Sequence, residues 1–466
     1  METGKDKDMK LYSANDSYKL YQGNMLDMLE VIEANSIDSI VTDPPYELNF
    51  MGKGWDNAGV SFQKETWEKC HEVLKPGGYL LAFGGSRTFH RIACAIEDAG
   101  FEIRDTIMWL YGSGFPKSMN IGLAVDKKNG IESKIIGSAK SGVSSRAYQS
   151  EATTTAGQYE IKEAQNEWKG WGSCLKPSFE PIIVARKPFK GSLVDNVIQY
   201  GVGGINIDEC RVAFENGEEN SSIQRYNSTQ QKGNNGWQHI NRGANFNEDT
   251  KKSMQLGRFP ANTILTYDET DFDEVCGGFP YTKVGSGIKN PKGGAKSTFR
   301  SSTQNEGYYS PGSEGSASRY FYCAKASKRD RDEGLDNQEE VKVNDGRQTP
   351  IDNPFQRGET PRRNGHPTVK PTNLMQYLVR LVSPNGATIL DPFNGSGSTG
   401  KAVMYENKDR KKNYKYIGIE LSEEYLRISK ARIEYVINLK EENKIDKSQI
   451  TIDELMEVKY GKQSNS

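Results

Sequence analysis

SIVTDPPYEL, residues 39–48, sets an acid, two prolines and a tyrosine directly after a short apolar run. Ile40 and Val41 are β-branched and suit a buried parallel strand. Pro44 and Pro45 have no amide hydrogen and cannot extend a hydrogen-bonded ladder. The strand must therefore stop at Asp43. Beyond it lies a stiff corner with one carboxylate, backbone carbonyls and the ring of Tyr46, at the carboxyl end of a strand. In open α/β sheets that is where ligands bind.

Outward from this corner the chain alternates strand and helix signals. Residues 18–21 read as a strand, 24–34 as a helix, 62–74 as a helix closed by the turn LKPGG, and GYLLAFGG (78–85) as an apolar strand ending in glycines. A helix over about 87–99 stops at Gly100, and FEIRDTIMWLYG supplies another strand. Near the other end NLMQYLVRLV has helical spacing and ATILDPF is a strand entering a turn. GSTGKAVMYEN then reads as a helix, KYIGIEL as a strand and EEYLRISKARIEYVINLK as a long helix. Helices between strands mean βαβ units.

The stretch from about 130 to 360 has another texture, rich in Gly, Ser, Asn and Gln, with islands such as FEPIIVARKPF (179–189), SLVDNVIQYG, FPANTIL (259–265) and RYFYCAK (319–325). Nothing repeats at a fixed period. The expected architecture is one Rossmann-like α/β domain with a mixed, mostly parallel sheet, interrupted by a loop-rich insertion. Residues 1–190 form one half with the DPPY corner, 191–360 the insertion, 361–440 the second half and 441–466 a charged tail.

Composition narrows the function. The 61 Lys and Arg nearly balance 62 Asp and Glu, so the chain does not coat a polyanion by bulk charge. Positive charge is instead local, with Lys283, Lys289, Lys292, Lys296, Arg300, Arg319, Lys325, Lys328 and Arg329 in the Gly/Ser-rich stretch 282–329. That stretch is either a solvated loop or a phosphate-facing one. The six cysteines stand singly and there are four histidines, so neither a disulfide framework nor a metal site is expected. No window approaches the roughly 18 apolar residues of a membrane span. A soluble, cytoplasmic protein is the expectation.

DPFNGSGSTGKA, residues 391–402, is the second candidate site. Gly395, Gly397 and Gly400 let backbone approach a ligand, and the helix that follows points free amides at it. Read as a P-loop, residues 395–401 fit except that Ala402 replaces the magnesium-binding hydroxyl. Read as a Rossmann-like loop for an adenosine-containing cofactor, they need an acid about 20 residues on to take ribose hydroxyls, and Glu420 ends the next strand there. A glycine turn without a ligand is the third reading.

A DPPY corner and a DPFNGSGSTG loop in one chain resemble the DNA amino-methyltransferases that use S-adenosylmethionine and methylate an exocyclic amine of adenine or cytosine. The order of DPPY, a long variable segment, HPTVKP (366–371) and DPFNGSGSTG is similar to the permuted class called beta, and LKPGGYLLAFGG and IGIELSEEY fall in step with it. KPSFEPIIVARKP, GVGGINIDECRV and FYCAKAS look like phage-type and prophage-type adenine methylases. The resemblance covers about half the chain. It implies an S-adenosylmethionine-dependent methyltransferase fold, double-stranded DNA as substrate, a target-recognition insertion, and a bacterial or phage-infected host. A separate cognate restriction endonuclease and a homodimer are the possible protein partners.

It also distributes roles. Asp43 and the Pro44 carbonyl would accept from the amine, Pro45 would hold the turn and Tyr46 would stack on the flipped base. Asp391, Phe393, Gly395, Gly397, Ser398, Thr399 and Glu420 would hold the cofactor, with Thr368 and Lys370 of HPTVKP on its methionine side. Where relatives have Gly-Asp before the DPPY strand this chain has Gly23-Asn24, so Asn24, or nearby Asp27, is the candidate adenosine contact. Trp109 and Tyr111 are either pocket or core, His366 a closing or a turn residue, and Arg186, Lys187 and Lys190 either phosphate contacts or surface. An exocyclic amine is a poor nucleophile because its lone pair is delocalised into the ring. Two acceptors that favour a tetrahedral nitrogen aim that lone pair at a sulfonium methyl without a metal or a strong base. DPPY favours adenine N6 over cytosine N4. A nucleotidase and a catalytically inactive DNA-binding module remain as rivals.

Overall fold

The computed structural model describes residues 10–48, 59–111, 118–140, 158–212, 257–266, 281–284, 287–289, 308–310, 313–316, 322–323, 328–343 and 360–439. Ten strands of these residues form one sheet. They are β1 (Lys10–Ala14), β2 (Tyr18–Gln22), β3 (Ile37–Thr42), β4 (Leu74–Phe83), β5 (Glu102–Tyr111), β6 (Phe179–Arg186), β7 (Thr263–Thr266), β8 (Tyr322–Cys323), β9 (Thr388–Asp391) and β10 (Lys415–Glu420). Their spatial order is β1-β2-β10-β9-β3-β4-β6-β5-β7-β8. Neighbours are parallel except β1 against β2, and β6 against both β4 and β5. The fold is thus α/β with a mixed, mostly parallel sheet, and the two ends of the chain meet at its centre where β9 pairs with β3.

The described helices are α1 (Met25–Leu29), α2 (Lys64–Val73), α3 (Phe89–Asp98), α4 (Ile121–Lys128), α5 (Leu193–Tyr200), α6 (Lys328–Asp332), α7 (Thr372–Val382), α8 (Ser398–Arg410) and α9 (Glu423–Asn438). The central strands alternate between two cores. Val41, Leu81 and Ile389 face one that includes Leu374, Leu378, Val403 and Ile433 of α7, α8 and α9. Ile40, Leu80 and Leu390 face another that includes Met28, Trp67 and Ile96 of α1, α2 and α3. A sheet covered on both faces needs apolar side chains at every step, which is why these strands read as unbroken apolar runs. None of the described helices is long and apolar enough to cross a membrane.

Three expectations are corrected in detail. LKPGG does not close a helix as a free turn; Leu74–Phe83 is one strand, its register shifted against β3. Gly77, at φ +81°, donates to the Lys187 carbonyl, so an edge interaction holds the segment extended. The first helix ends at Leu29, well short of residue 34, and Asn24 caps it. Two islands of the 191–360 stretch, FPANTIL and RYFYCAK, supply β7 and β8 to the edge of the large sheet. A third, α5, is capped by Ser192 and tied to β4 through Asn196, whose amide donates to the carbonyls of Pro76 and Val202. The 441–466 tail and the side chains of the basic 282–329 stretch lie outside the described residues.

Candidate active site

The chain leaves β9 through α8 toward β10 on one side and leaves β3 through α2 toward β4 on the other. Between two such strands the connecting segments diverge and open a crevice at the carboxyl edge. Asp391 ends β9 and Asp43 follows β3, so both candidate motifs meet there. Glu420 and Asn24 lie on the same rim at the ends of β10 and β2, joined by the Gly23 amide donating to the Glu420 carbonyl at 3.1 Å. β6 runs the opposite way, so its beginning, with Glu180, reaches this rim too.

At the DPPY corner five side chains interlock. Lys370 Nζ lies 2.6 Å from Asp43 Oδ2 and 3.4 Å from Glu180 Oε2. The Tyr46 hydroxyl donates to Glu180 Oε2 at 2.8 Å, and the Tyr111 hydroxyl to Glu180 Oε1 at 3.4 Å. The ammonium sits 5.3 Å from the Tyr46 ring centre and 4.9 Å from that of Phe83, within cation–π range. Burial alone would depress Lys370, but Asp43 and Glu180 outweigh it and hold it above the ordinary lysine value. Burial pushes the Asp43 carboxyl up; Lys370 pulls it back and Glu180 adds to the push. Asp43 Oδ1 is buried and has no hydrogen-bond partner. A buried acceptor left unmade is costly, so it marks a place shaped for a donor. Ser61 Oγ donates to the Pro45 carbonyl and Thr88 Oγ1 to that of Tyr46, pinning the corner from both sides.

The glycine loop is wired to the same edge. Asp391 accepts from Thr42 Oγ1 at 2.7 Å, Thr399 Oγ1 at 2.7 Å and the Phe393 amide at 3.1 Å. Burial still pushes its carboxyl up to about 6. Glu420 accepts the Gly395 and Ser422 amides, each at 2.8 Å, while burial raises its carboxyl. Gly395, at φ +50°, is covered by His366, whose Nε2 lies 2.9 Å from where a Cβ would stand. Burial lowers His366 to about 3, so the ring is neutral; its Nδ1 accepts the Thr368 amide, which leaves the proton on Nε2, facing the loop. HPTVKP is thereby laid across the glycine loop, and Lys370 beyond it reaches Asp43.

Other assignments resolve differently. The space beside Gly397 is filled by Ser429, and that beside Gly400 by Ile433 and Tyr416, so these glycines admit α9 and β10. Thr399 is spent on Asp391, and Ser398 accepts from Arg432. Asn24 uses its side-chain oxygen to cap α1, accepting from the Leu26 amide. Lys401 is fully buried and ion-paired with Asp330 at 2.7 Å and Glu333 at 2.9 Å, which removes the phosphate-binding lysine that a P-loop requires. Trp109 belongs to the core, with Nε1 donating to Thr266. Arg186 pairs with Glu102 at 2.6 Å, and Lys187 donates to the carbonyls of His71 and Leu74. Both stand at the end of the reversed strand β6, on the edge opposite Asp43, while Lys190 is exposed beyond them.

Sequence reasoning missed Glu180, Thr42 and Asn394. Asn394 holds the loop together by accepting from Tyr416 and Ser429 and donating to the Gly395 carbonyl. The one available signal for Glu180 was an acid just before the apolar run PIIVA of the strand FEPIIVAR.

A family model described as DNA methylase, of the N6/N4 type, matches residues 37–431. Among curated relatives, the type II methyltransferase M.HindIII of Haemophilus influenzae is 24% identical over 229 residues, which are 40% of this chain and 64% of that one. M.HpaI of Haemophilus parainfluenzae is 35% identical over 109 residues, 22% of this chain and 34% of its own. The chain thus spans about a third to somewhat under two thirds of these relatives. Solved structures that the chain matches include the PvuII DNA methyltransferase, described as cytosine-N4-specific, at TM-score 0.39 and 13% identity over 97% of this chain and 98% of that one. The M1.HpyAVI–SAM complex gives 0.35 and 14% over 91% of this chain and 100% of that one. At such scores the strand order, not the superposition, defines the fold. With the family model spanning the sheet from β3 to α9 and both motifs on one rim, the chain belongs to the DNA methylase family of the N6/N4 type.

Proposed function

We propose that this chain is a site-specific DNA methyltransferase that moves a methyl group from S-adenosylmethionine to the exocyclic N6 amine of adenine in double-stranded DNA. The observation that carries this reading is Asp43 Oδ1, a buried acceptor with no partner at the carboxyl edge of the sheet. Next to it Pro44 offers a carbonyl on a backbone that its rings keep rigid. A target base inside a duplex cannot reach this corner and has to be flipped out, and the Tyr46 ring is the face on which it stacks.

The residues fit the cofactor. Glu420 keeps lone pairs beyond its two amide contacts and would take ribose hydroxyls. Half-buried Phe393 would lie against the adenine ring. Gly395, packed under His366, would present the loop backbone to the cofactor, with Thr368 and Lys370 on the methionine side. Asn24, at the end of β2, is the further adenosine contact. When bound, S-adenosylmethionine supplies an electrophilic methyl on a sulfonium.

Asp43 Oδ1 and the Pro44 carbonyl would accept hydrogen bonds from the two amine N–H groups and turn the nitrogen toward tetrahedral geometry, freeing its lone pair. Once the nitrogen had taken the methyl group and the thioether had left, Asp43 would pass the surplus amine proton to solvent. Proximity and orientation carry much of the rate. The permuted order of motifs is that of the beta class, and residues 191–360, which begin with α5, take the recognition role. The relatives are bacterial enzymes, which suits a cytoplasmic setting.

The test is modified-base sequencing of a methylation-deficient bacterial host that expresses this chain or its Asp43→Ala variant. N6-methyladenine at one recurrent sequence, lost in the variant, is the expected result. N4-methylcytosine instead would keep the mechanism and overturn the choice of base. A protein that retains DNA regardless of Asp43 and transfers no methyl group would be a binding module.

A further inference from the structure

The Glu180 carboxylate is the feature of the crevice that the methyl-transfer chemistry leaves unassigned, and the inference about it rests on that reading of the DPPY corner. Three donors converge on it: the hydroxyls of Tyr46 and Tyr111 and the ammonium of Lys370. The side chains of Asp43 and Glu180 are 19% and 21% exposed and that of Lys370 is 7% exposed.

We propose that Glu180 is a positioning residue for methyl transfer. It fixes the stacking ring of Tyr46 by its hydroxyl, and it holds Lys370 on the Oδ2 side of Asp43, so that Oδ1 faces the base amine. Tyr46 follows two prolines, so its main chain is set, but its ring turns about the Cα–Cβ bond unless the hydroxyl is tethered. Lys370 is equally mobile on a four-carbon stem. With Glu180 gone, its ammonium has one carboxylate left and bridges both oxygens of Asp43, consuming the acceptor that the amine needs. With Glu180 present, one cation is divided between two carboxylates and Asp43 keeps acceptor strength. The same charge adds to the burial that raises the Asp43 carboxyl, against the pull of Lys370. The groups facing it are Lys370, Glu180, Tyr46 and Asp391, with Tyr111 against Glu180 and neutral His366 near Lys370.

Two variants separate the roles. Glu180→Ala removes both, whereas Glu180→Gln keeps an oxygen for the Tyr46 hydroxyl and loses the charge. Methyl transfer is measured against pH on a duplex carrying the sequence found by the genome experiment, together with S-adenosylmethionine binding and melting temperature. For Glu180→Ala, kcat is expected to fall on the order of 10²-fold, the scale of a misplaced reacting group, with cofactor affinity unchanged. Glu180→Gln should keep more of the rate and move the acid limb of the profile to lower pH, because removing Glu180 removes a charge that raises Asp43. A kcat for Glu180→Ala within about twofold of the parent, or an unmoved acid limb in Glu180→Gln, overturns the proposal while an active parent and inactive Asp43→Ala keep the reading of the corner. A parent that transfers no methyl group overturns both.

Discussion

Asp391 is gripped from both halves of the chain, by Thr42 of β3 and by Thr399 of α8. It is 2% exposed with no cation beside it among its named contacts, and burial raises it to about 6 from 3.8. Between those two values the folded protein holds a proton that the unfolded chain has released. Its contribution is therefore greatest at low pH and is lost as pH rises toward 6. Against Asp391→Asn, which cannot titrate, the parent should lose roughly 2 kcal/mol of relative stability between pH 4 and pH 7, since each tenfold change in proton affinity is worth about 1.4 kcal/mol. Urea unfolding of both proteins at the two pH values checks it; a difference independent of pH refutes it. Using the difference matters, because His366 works in the other direction. Held near 3 by burial, it contributes stability that is present above 6.5 and lost on acidification.

At the scale of elements, the turn between β9 and α8 is built as much for the neighbouring helix as for a ligand. Gly397 adopts φ +73°, and a Cβ there would lie 2.3 Å from Ser429 Oγ and 2.9 Å from Ser429 Cα on α9. Gly397→Ala combines a left-handed backbone with an overlap that main chain cannot relieve, and should cost about 2–4 kcal/mol. Chemical denaturation measures it, and Ser429→Gly as a second change should recover part of the loss by removing the Oγ and Cβ overlaps. Full stability in the single variant would mean that α9 moves away freely. α8 is fixed on its other side by Lys401, whose ammonium joins Asp330 and Glu333. That lysine is structural.

For the molecule as a whole, β9 and β10 fill the gap between β2 and β3, so the crevice exists only when both ends of the chain have come together. Any ligand bound there bridges residues far apart in sequence, such as Asp43 and Glu420, and stabilises the assembled sheet. S-adenosylmethionine at 100 times its Kd should add about 2.7 kcal/mol and raise the melting temperature by several degrees. ATP with magnesium should leave it unchanged, because Lys401 is already spent. An equal rise with ATP would restore the nucleotide-phosphate reading.

The chain's own chemistry determined the corner and the loop. Proline stops a ladder wherever it falls, and unbroken apolar runs demand a sheet covered on both faces; so Asp43, Asp391 and Glu420 were each legible as strand-end acids. What each glycine serves was not. Gly395 lies under His366 while Gly397 and Gly400 admit Ser429, Ile433 and Tyr416, and only the packing of α9 and β10 distinguishes them. The islands FPANTIL and RYFYCAK looked like parts of an insertion, yet sheet pairing, which acts across any separation in sequence, made them the last two strands of the large sheet. Glu180 and Lys370 depended wholly on tertiary structure. Their meeting with Asp43 requires β6 to run against β4 and HPTVKP to cross the glycine loop, and no local propensity encodes the direction of a strand or the far end of a lysine.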